Sequence, residues 1–194
     1  MILNLAAGEK RYSGDVLNVD LIAGEGIDYV TDLSKFPWIW EDNSVDGIHA
    51  SHILEHFHDH EKFIRECHRI LKPGGFFRVV VPHCTNMASN GCLGHYRGFS
   101  YDTLNRYLCS QGRHDCYMFQ DVKFELVEQY VNWVWEEVIK QNSVPNLDDR
   151  LRFLIRPLDY VISKLINMGP RWFERFWYPI VGGAAEVVFE GKKL

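Results

Sequence analysis

Two carboxylates, each at the end of a short apolar run, are the residues best placed to do chemistry in this chain. Val16-Leu17-Asn18-Val19-Asp20-Leu21 carries Asp20 at its end, and Asp28-Tyr29-Val30-Thr31-Asp32-Leu33 carries Asp32. A third run, Ile2-Leu3-Asn4-Leu5, leads into the small-residue turn Ala6-Ala7-Gly8. Small residues let backbone approach a ligand closely. A carboxylate one strand over can accept from the hydroxyls of a ribose, and a second carboxylate from an exocyclic amine. The ligand that suits these ends together is a nucleoside or nucleotide.

Histidines form the second chemical group. His52-Ile53-Leu54-Glu55-His56 has the form His-x-x-Glu-His, the pattern of inverse zinc peptidases. On a helix, residues four apart share a face, so His52 and His56 could hold zinc with Glu55 as base. A catalytic zinc wants a third protein ligand, and no spacing here selects one. A zinc peptidase is therefore the remote reading, and no metal ligands are assigned.

These residues need strands to bring them together. Short apolar runs bounded by turn signals suit strands buried on both faces of a parallel sheet. In such sheets ligands bind outside the carboxyl ends of the strands, so Ala6 to Gly8, Asp20 and Asp32 should share one crevice. Val45 to Ala50 is the fourth strand, with Ser51 and His52 on the same rim. Asp59 is a helix cap, and Phe63, Ile64, Cys67, Ile70 and Leu71 fall on one helical face. Lys72-Pro73-Gly74-Gly75 stops that helix before a buried strand, Phe76 to Val81. Trp38 to Asn43 reads as a connector. Further along, a short helix capped by Ser100 lies within Phe99 to Cys109, a strand spans Val122 to Val127, and Trp135 to Gln141 is helical. A helical stripe starting at Leu147 is interrupted by Pro157, and a last strand covers Ala184 to Glu190. The segment Ala7 to Asp15 is too short for an ordinary crossover, so its helix must be vestigial.

Residues 2 to 83 resemble the core of a class I S-adenosylmethionine-dependent methyltransferase, close to the type 11 group. Leu3-Asn4-Leu5-Ala6-Ala7-Gly8 resembles the first motif, with Ala6 at the first glycine position. Asp20 matches the acid that ends the second strand, and Asp32-Leu33 the pair that meets adenine. Ile53-Leu54-Glu55-His56 resembles the Leu-Glu-His signature, and Arg69-Ile70-Leu71-Lys72-Pro73-Gly74-Gly75 the Arg-x-Leu-Lys-Pro-Gly-Gly signature. The resemblance implies an α/β, Rossmann-like three-layer sandwich. Its mostly parallel sheet of about seven strands ends in an antiparallel strand, and a helical C-terminal insertion is added. It further implies S-adenosylmethionine as cofactor, held by Asn4, Ala6, Ala7, Gly8, Asp20, Leu21, Asp32, Leu33, Ser51 and His52. Methyl transfer to oxygen or nitrogen needs a proton removed from the acceptor, and His83 or His95 is the expected base. Tyr96 and Arg97 are the expected substrate contacts.

At 194 residues the chain reads as one domain, with a rim connector at 85–120 and a helical insertion or lid at 145–183. The formal net charge of −5 disfavours a nucleic-acid substrate, so the expected acceptor is a small molecule or a sugar. Five cysteines without a Cys-x-x-Cys suit free thiols in a cytoplasmic protein. No apolar run is long enough to span a membrane. Arginines beside aromatics in the tail keep a peripheral membrane contact open, and a homodimer too. The reading from another class is a methyltransferase-like binding module that has lost turnover.

Overall fold

The computed structural model describes residues 1–86, 89, 91–109, 119–133, 149–177 and 184–194, with the backbone alone at 149–156, 159, 176 and 177. Seven strands make one sheet: β1 Ile2–Leu5, β2 Val16–Asp20, β3 Tyr29–Val30, β4 Val45–Ser51, β5 Leu71–Pro82, β6 Phe124–Asn132 and β7 Glu186–Lys193. Their order is β3-β2-β1-β4-β5-β7-β6. The first five strands run parallel, and β7 is antiparallel to both of its neighbours. The expected Rossmann-like α/β sheet is therefore present. The helices are α1 His60–Ile70, α2 Tyr101–Leu108 and α3 Asp149–Met168.

Local chemistry explains the elements around the strand ends. Asp59 accepts a hydrogen bond from Lys62 N at 3.0 Å and starts α1, which buries Phe63, Ile64, Cys67 and Ile70. The helix stops one residue earlier than the sequence suggests, because Leu71 already pairs with Val45. Lys72 to Gly75 form a bulge inside β5, and the ladder resumes at Gly47 and Phe76. Gly74 has a φ of 77°, a conformation that favours glycine. Ser100 caps α2 as expected.

The two faces of the sheet differ. Leu5, Ile48, Phe77, Val79 and Phe189 are fully buried, or nearly so, in one apolar cluster that includes the inward residues of α1. Trp38 and Trp40, expected in a connector, belong to this core. Trp38 Nε1 donates to Leu33 O at 3.0 Å, and its backbone N–H donates to Glu66 Oε1 at 2.6 Å. Arg69 in turn reaches Glu66 and Asp42, so the arginine of the Arg-x-Leu-Lys-Pro-Gly-Gly signature fastens this loop to α1.

Across the opposite face, strand register aligns Asn18, Asn4, His49, Arg78 and Glu190 in one polar row. Among the described residues the crossovers β1 to β2 and β2 to β3 carry no helix at all, rather than a vestigial one. Side chains hold this loop instead. Asn18 accepts from Tyr12 N at 3.0 Å, donates to Tyr12 O at 2.7 Å and bonds both Asn4 and Asp28. Tyr12 stacks on His49, which packs on Phe76. Phe76 lies so close over Gly47 that a Cβ there would sit 2.0 Å from its ring.

The edge strand β6 is covered by α3. Val131 N donates to Asn167 Oδ1 at 2.8 Å, and Asn167 Nδ2 donates to Val131 O at 2.7 Å, as a neighbouring strand would. Pro157 lies inside α3. The helix expected at Trp135 to Gln141, the start of the stripe at Leu147, and Cys116 lie outside the described residues. Among the described residues no helix is long and apolar enough to cross a membrane.

Candidate active site

The turn after β1 adopts an unusual backbone. Ala6 and Gly8 have φ of 53° and 52°. Left-handed geometry costs a residue with a Cβ roughly 1–2 kcal/mol, and glycine almost nothing. Ala7 N donates to Val19 O at 2.9 Å, which ties the turn to β2. Gly8 N donates to Asp20 Oδ2 at 2.8 Å, and Ile22 N donates to Asp20 Oδ1 at 3.1 Å. The acid of β2 therefore sits against the turn of β1. Each oxygen has accepted one bond and keeps a lone pair for a ligand hydroxyl. Leu21, next to it, exposes its side chain.

A crevice of about 270 Å³ lies above this turn, lined by Asn4, Ala6, Ala7, Gly8, Ser51 and His52 together with Glu9 and Lys10. Ser51 Oγ is buried with no hydrogen-bond partner among the described residues. A buried unpaired hydroxyl is costly and fits a site completed by a polar ligand. Asn4 also turns inward, but its amide donates to Lys10 O and Asn18 Oδ1, so it braces the loop that floors the crevice.

Asp32 lies two residues past β3, and neither it nor Asp20 is among the residues that line the crevice, which corrects the expectation of one crevice shared by both acids and the turn. Its Oδ1 accepts from the Ser34 hydroxyl at 2.6 Å and from Ser34 N at 3.0 Å. The Ser34 hydroxyl and N–H hold its carboxyl below the usual range. The Leu33 side chain is buried in the core, with its carbonyl taken by Trp38.

His52 has a φ of 52° and ends β4. Its Nε2 lies 3.1 Å from Glu186 Oε2 and its Nδ1 lies 3.4 Å from Glu55 Oε1. Burial alone would depress this imidazole. The two fully buried carboxylates reverse that and raise it to about 9. Both nitrogens of His52 are thus committed to carboxylates, and only Leu54–His56 forms a turn, of 3-10 type. This corrects the reading of His52 and His56 as a helical zinc pair.

The expected bases separate sharply. The His83 ring is fully buried, with Nδ1 2.6 Å from Thr85 Oγ1 and Nε2 2.8 Å from Glu174 Oε1. His95 Nδ1 is buried without a hydrogen bond among the described residues, and its ring packs edge-on against His56 at 4.6 Å. Tyr96 is exposed beside His58, and Arg97 stands over the Phe99 ring. Arg97 also lines a second cavity of about 410 Å³, between the start of α1 and α2, with His58, His60, Phe99 and Tyr107. Burial and Arg97 push His60 down to about 4.

Sequence reasoning missed Glu186 and Asn18. Glu186 lies 134 residues from His52, and no local pattern links them. Asn18 left one signal, an amide in the middle of an apolar strand.

Comparison with known proteins bears on the fold and on the first half of the chain. Residues 5–79 match the family model described as a methyltransferase domain. A stretch of 42 residues is 43% identical to a Mycolicibacterium smegmatis protein described as a "Probable S-adenosylmethionine-dependent methyltransferase". That stretch is 22% of this chain and spans 16% of the relative's length. The fold matches the crystal structure of an S-adenosylmethionine-dependent methyltransferase from Archaeoglobus fulgidus, with a TM-score of 0.53 and 19% identity over 99% of this chain and 85% of that one. It also matches the 1,6-didemethyltoxoflavin-N1-methyltransferase of Burkholderia thailandensis, at TM-score 0.52 and 17% identity over 99% of this chain and 70% of that one. Residues 5–79 thus match a methyltransferase domain, and the described sheet has the fold of these solved methyltransferases.

Proposed function

We propose that this chain transfers the methyl group of S-adenosylmethionine to a small acceptor bearing a hydroxyl or amine. The observation that carries the reading is the hydrogen bond between Asp20 and Gly8, which seats the β2 acid at the β1 turn. Asp20 would take the ribose hydroxyls and Asp32 the adenine side. The Ala6 to Gly8 turn, with Ser51 and Asn4, would line the methionine end. The cofactor, when bound, supplies a methyl group on sulfonium sulfur, ready for in-line displacement. The protein contributes position and the exclusion of water.

Of the two histidines expected as bases, His95 keeps a nitrogen free of hydrogen bonds among the described residues, and His83 has both engaged. Proton removal is therefore placed at the rim around His95, with Tyr96 and Arg97 beside the acceptor. The net charge of −5 and the small-molecule substrate named for the Burkholderia enzyme support a small acceptor over nucleic acid. A second reading follows from Ala6: a methyl group in a left-handed turn where the family carries glycine suits a binding module without turnover. Calorimetry with S-adenosylmethionine and S-adenosylhomocysteine tests both. Micromolar binding that is lost in Asp20→Ala supports the enzyme. No binding by a folded chain overturns it.

The exposed stripe Leu158, Val161, Leu165, Met168 and Trp172 runs along α3 and the short helix after it. On the same reading it is a surface for a second copy of this chain. Sedimentation of a Leu158→Asp/Leu165→Asp double variant tests this, and an unchanged solution mass would remove the idea.

A further inference from the structure

One cluster at the rim has a chemistry that cofactor binding does not use. The loop after β5 folds back over the 3-10 turn after β4, and Tyr96 N donates to Glu55 O at 2.8 Å. This brings Glu55, His56 and His95 together, with one potential ligand atom from each within 4.8 Å of the others. The Glu55 side chain is fully buried, yet neither of its oxygens accepts a hydrogen bond among the described residues. Its nearest cation is His52 Nδ1 at 3.4 Å. His52 offsets part of the charge, but a buried carboxylate whose two oxygens accept no hydrogen bond is costly and fits a site completed by a further ligand.

The two imidazoles are arranged to match. His56 Nδ1 lies 3.0 Å from Gly94 O, and a carbonyl only accepts. Nδ1 therefore carries the proton, and Nε2 is left with its lone pair. A backbone carbonyl on the far ring N–H is the outer support that orients metal-binding histidines. His95 Nδ1 is buried without a partner in the same cluster.

We propose that Glu55, His56 and His95 bind one divalent transition-metal ion through two imidazole nitrogens and a carboxylate. Such a mixed nitrogen and oxygen set suits zinc, manganese or iron better than calcium or magnesium, which prefer all-oxygen sites. Ligand atoms around a tetrahedral zinc sit roughly 3.4 Å apart, so closing the cluster from within 4.8 Å needs the side chains to approach by at most about 1.4 Å. Three protein ligands leave at least one coordination position open. Glu55 touches His52, which lines the crevice, so the ion sits at the crevice rim. There it can hold an acceptor oxygen. That use rests on the methyl-transfer reading, whereas the binding of the ion does not. With the ion bound, His95 is a ligand and not a base.

The test is titration of the full, chelator-treated chain with Zn²⁺ and with Mn²⁺ by calorimetry, backed by elemental analysis of dialysed protein. Wild type should take up one ion per chain. His95→Ala and Glu55→Gln should lose affinity by roughly a hundredfold or more, since loss of outer support alone costs ten- to a hundredfold. His58→Ala, a neighbouring histidine outside the cluster, should bind as wild type does. Glu55 is buried against His52, so the loop variant His95→Ala carries the test if Glu55→Gln does not fold. Absence of saturable one-to-one binding overturns the proposal, as does a loss in His95→Ala no larger than in His58→Ala. Titration of the same samples with S-adenosylmethionine separates the two readings. Metal binding without cofactor binding sinks only methyl transfer, and the converse sinks only the metal site.

Discussion

On the proposed reading cofactor binding turns on Ala6 and Asp20, and each makes a separate prediction. In Ala6→Gly the left-handed strain of roughly 1 kcal/mol disappears, against a similar gain in unfolded-chain entropy. Stability should therefore change little, and affinity for S-adenosylmethionine should hold or rise. Calorimetry and a melting curve read the two effects, and a large loss of affinity with an unchanged melt would mean that the methyl group packs on the ligand. On the same reading Asp20→Ala would remove a charge-assisted hydrogen-bond pair to the ribose, worth on the order of 2–3 kcal/mol, or roughly a thirty- to hundredfold loss of affinity. Because Asp20 also accepts from Gly8 N, the variant should melt lower as well. Asp20→Asn keeps a neutral acceptor for that N–H and should recover most of the stability but not the affinity. Equal affinity in a folded Asp20→Ala chain would contradict the site.

Two amides do the work of missing secondary structure. Asn18 pairs both backbone groups of Tyr12 and replaces the packing that a crossover helix would give. Asn18→Leu fills a similar volume but leaves the Tyr12 groups without that partner and the Asn4 amide with Lys10 O alone. Each buried group left unpaired costs about 1–3 kcal/mol, so the loss should exceed a single hydrogen bond. Asn167 closes the open edge of β6 in the same way. Asn167→Ala should cost roughly 1–2 kcal/mol and should speed amide exchange at Val131. Protection at Val131 equal to wild type would show that the edge is covered by something else. The element boundaries were legible where local chemistry sets them, as at Asp59 and Ser100. They were illegible where a partner strand sets them. Lys72-Pro73-Gly74-Gly75 carries every mark of a break, yet pairing of Leu71 with Val45 keeps it inside β5 as a bulge.

At the scale of the whole molecule, the His52 imidazolium joins the end of β4 to the start of β7 through Glu186, which also accepts from Asn132 at 2.7 Å. Removing one partner of a buried ion pair costs about 3–5 kcal/mol. Glu186→Ala should thus lower the melting temperature by on the order of 10 °C for a chain of this size. A shift within two degrees would show that Glu55 alone suffices for His52. The sequence by itself determined the fold class, the β1 turn and β4 end that line the crevice, and the cofactor that the fold suits. Those features follow from local apolar runs, small-residue turns and acids at set intervals. The tertiary structure alone decided which face of the sheet carries the polar row, which of His83 and His95 keeps a nitrogen free of hydrogen bonds among the described residues, and which three side chains come together at the rim. These depend on strand register and on a loop folding back across the sheet. Contacts such as His52 with Glu186, or Glu55 with Tyr96, join residues whose separation along the chain carries no periodic trace.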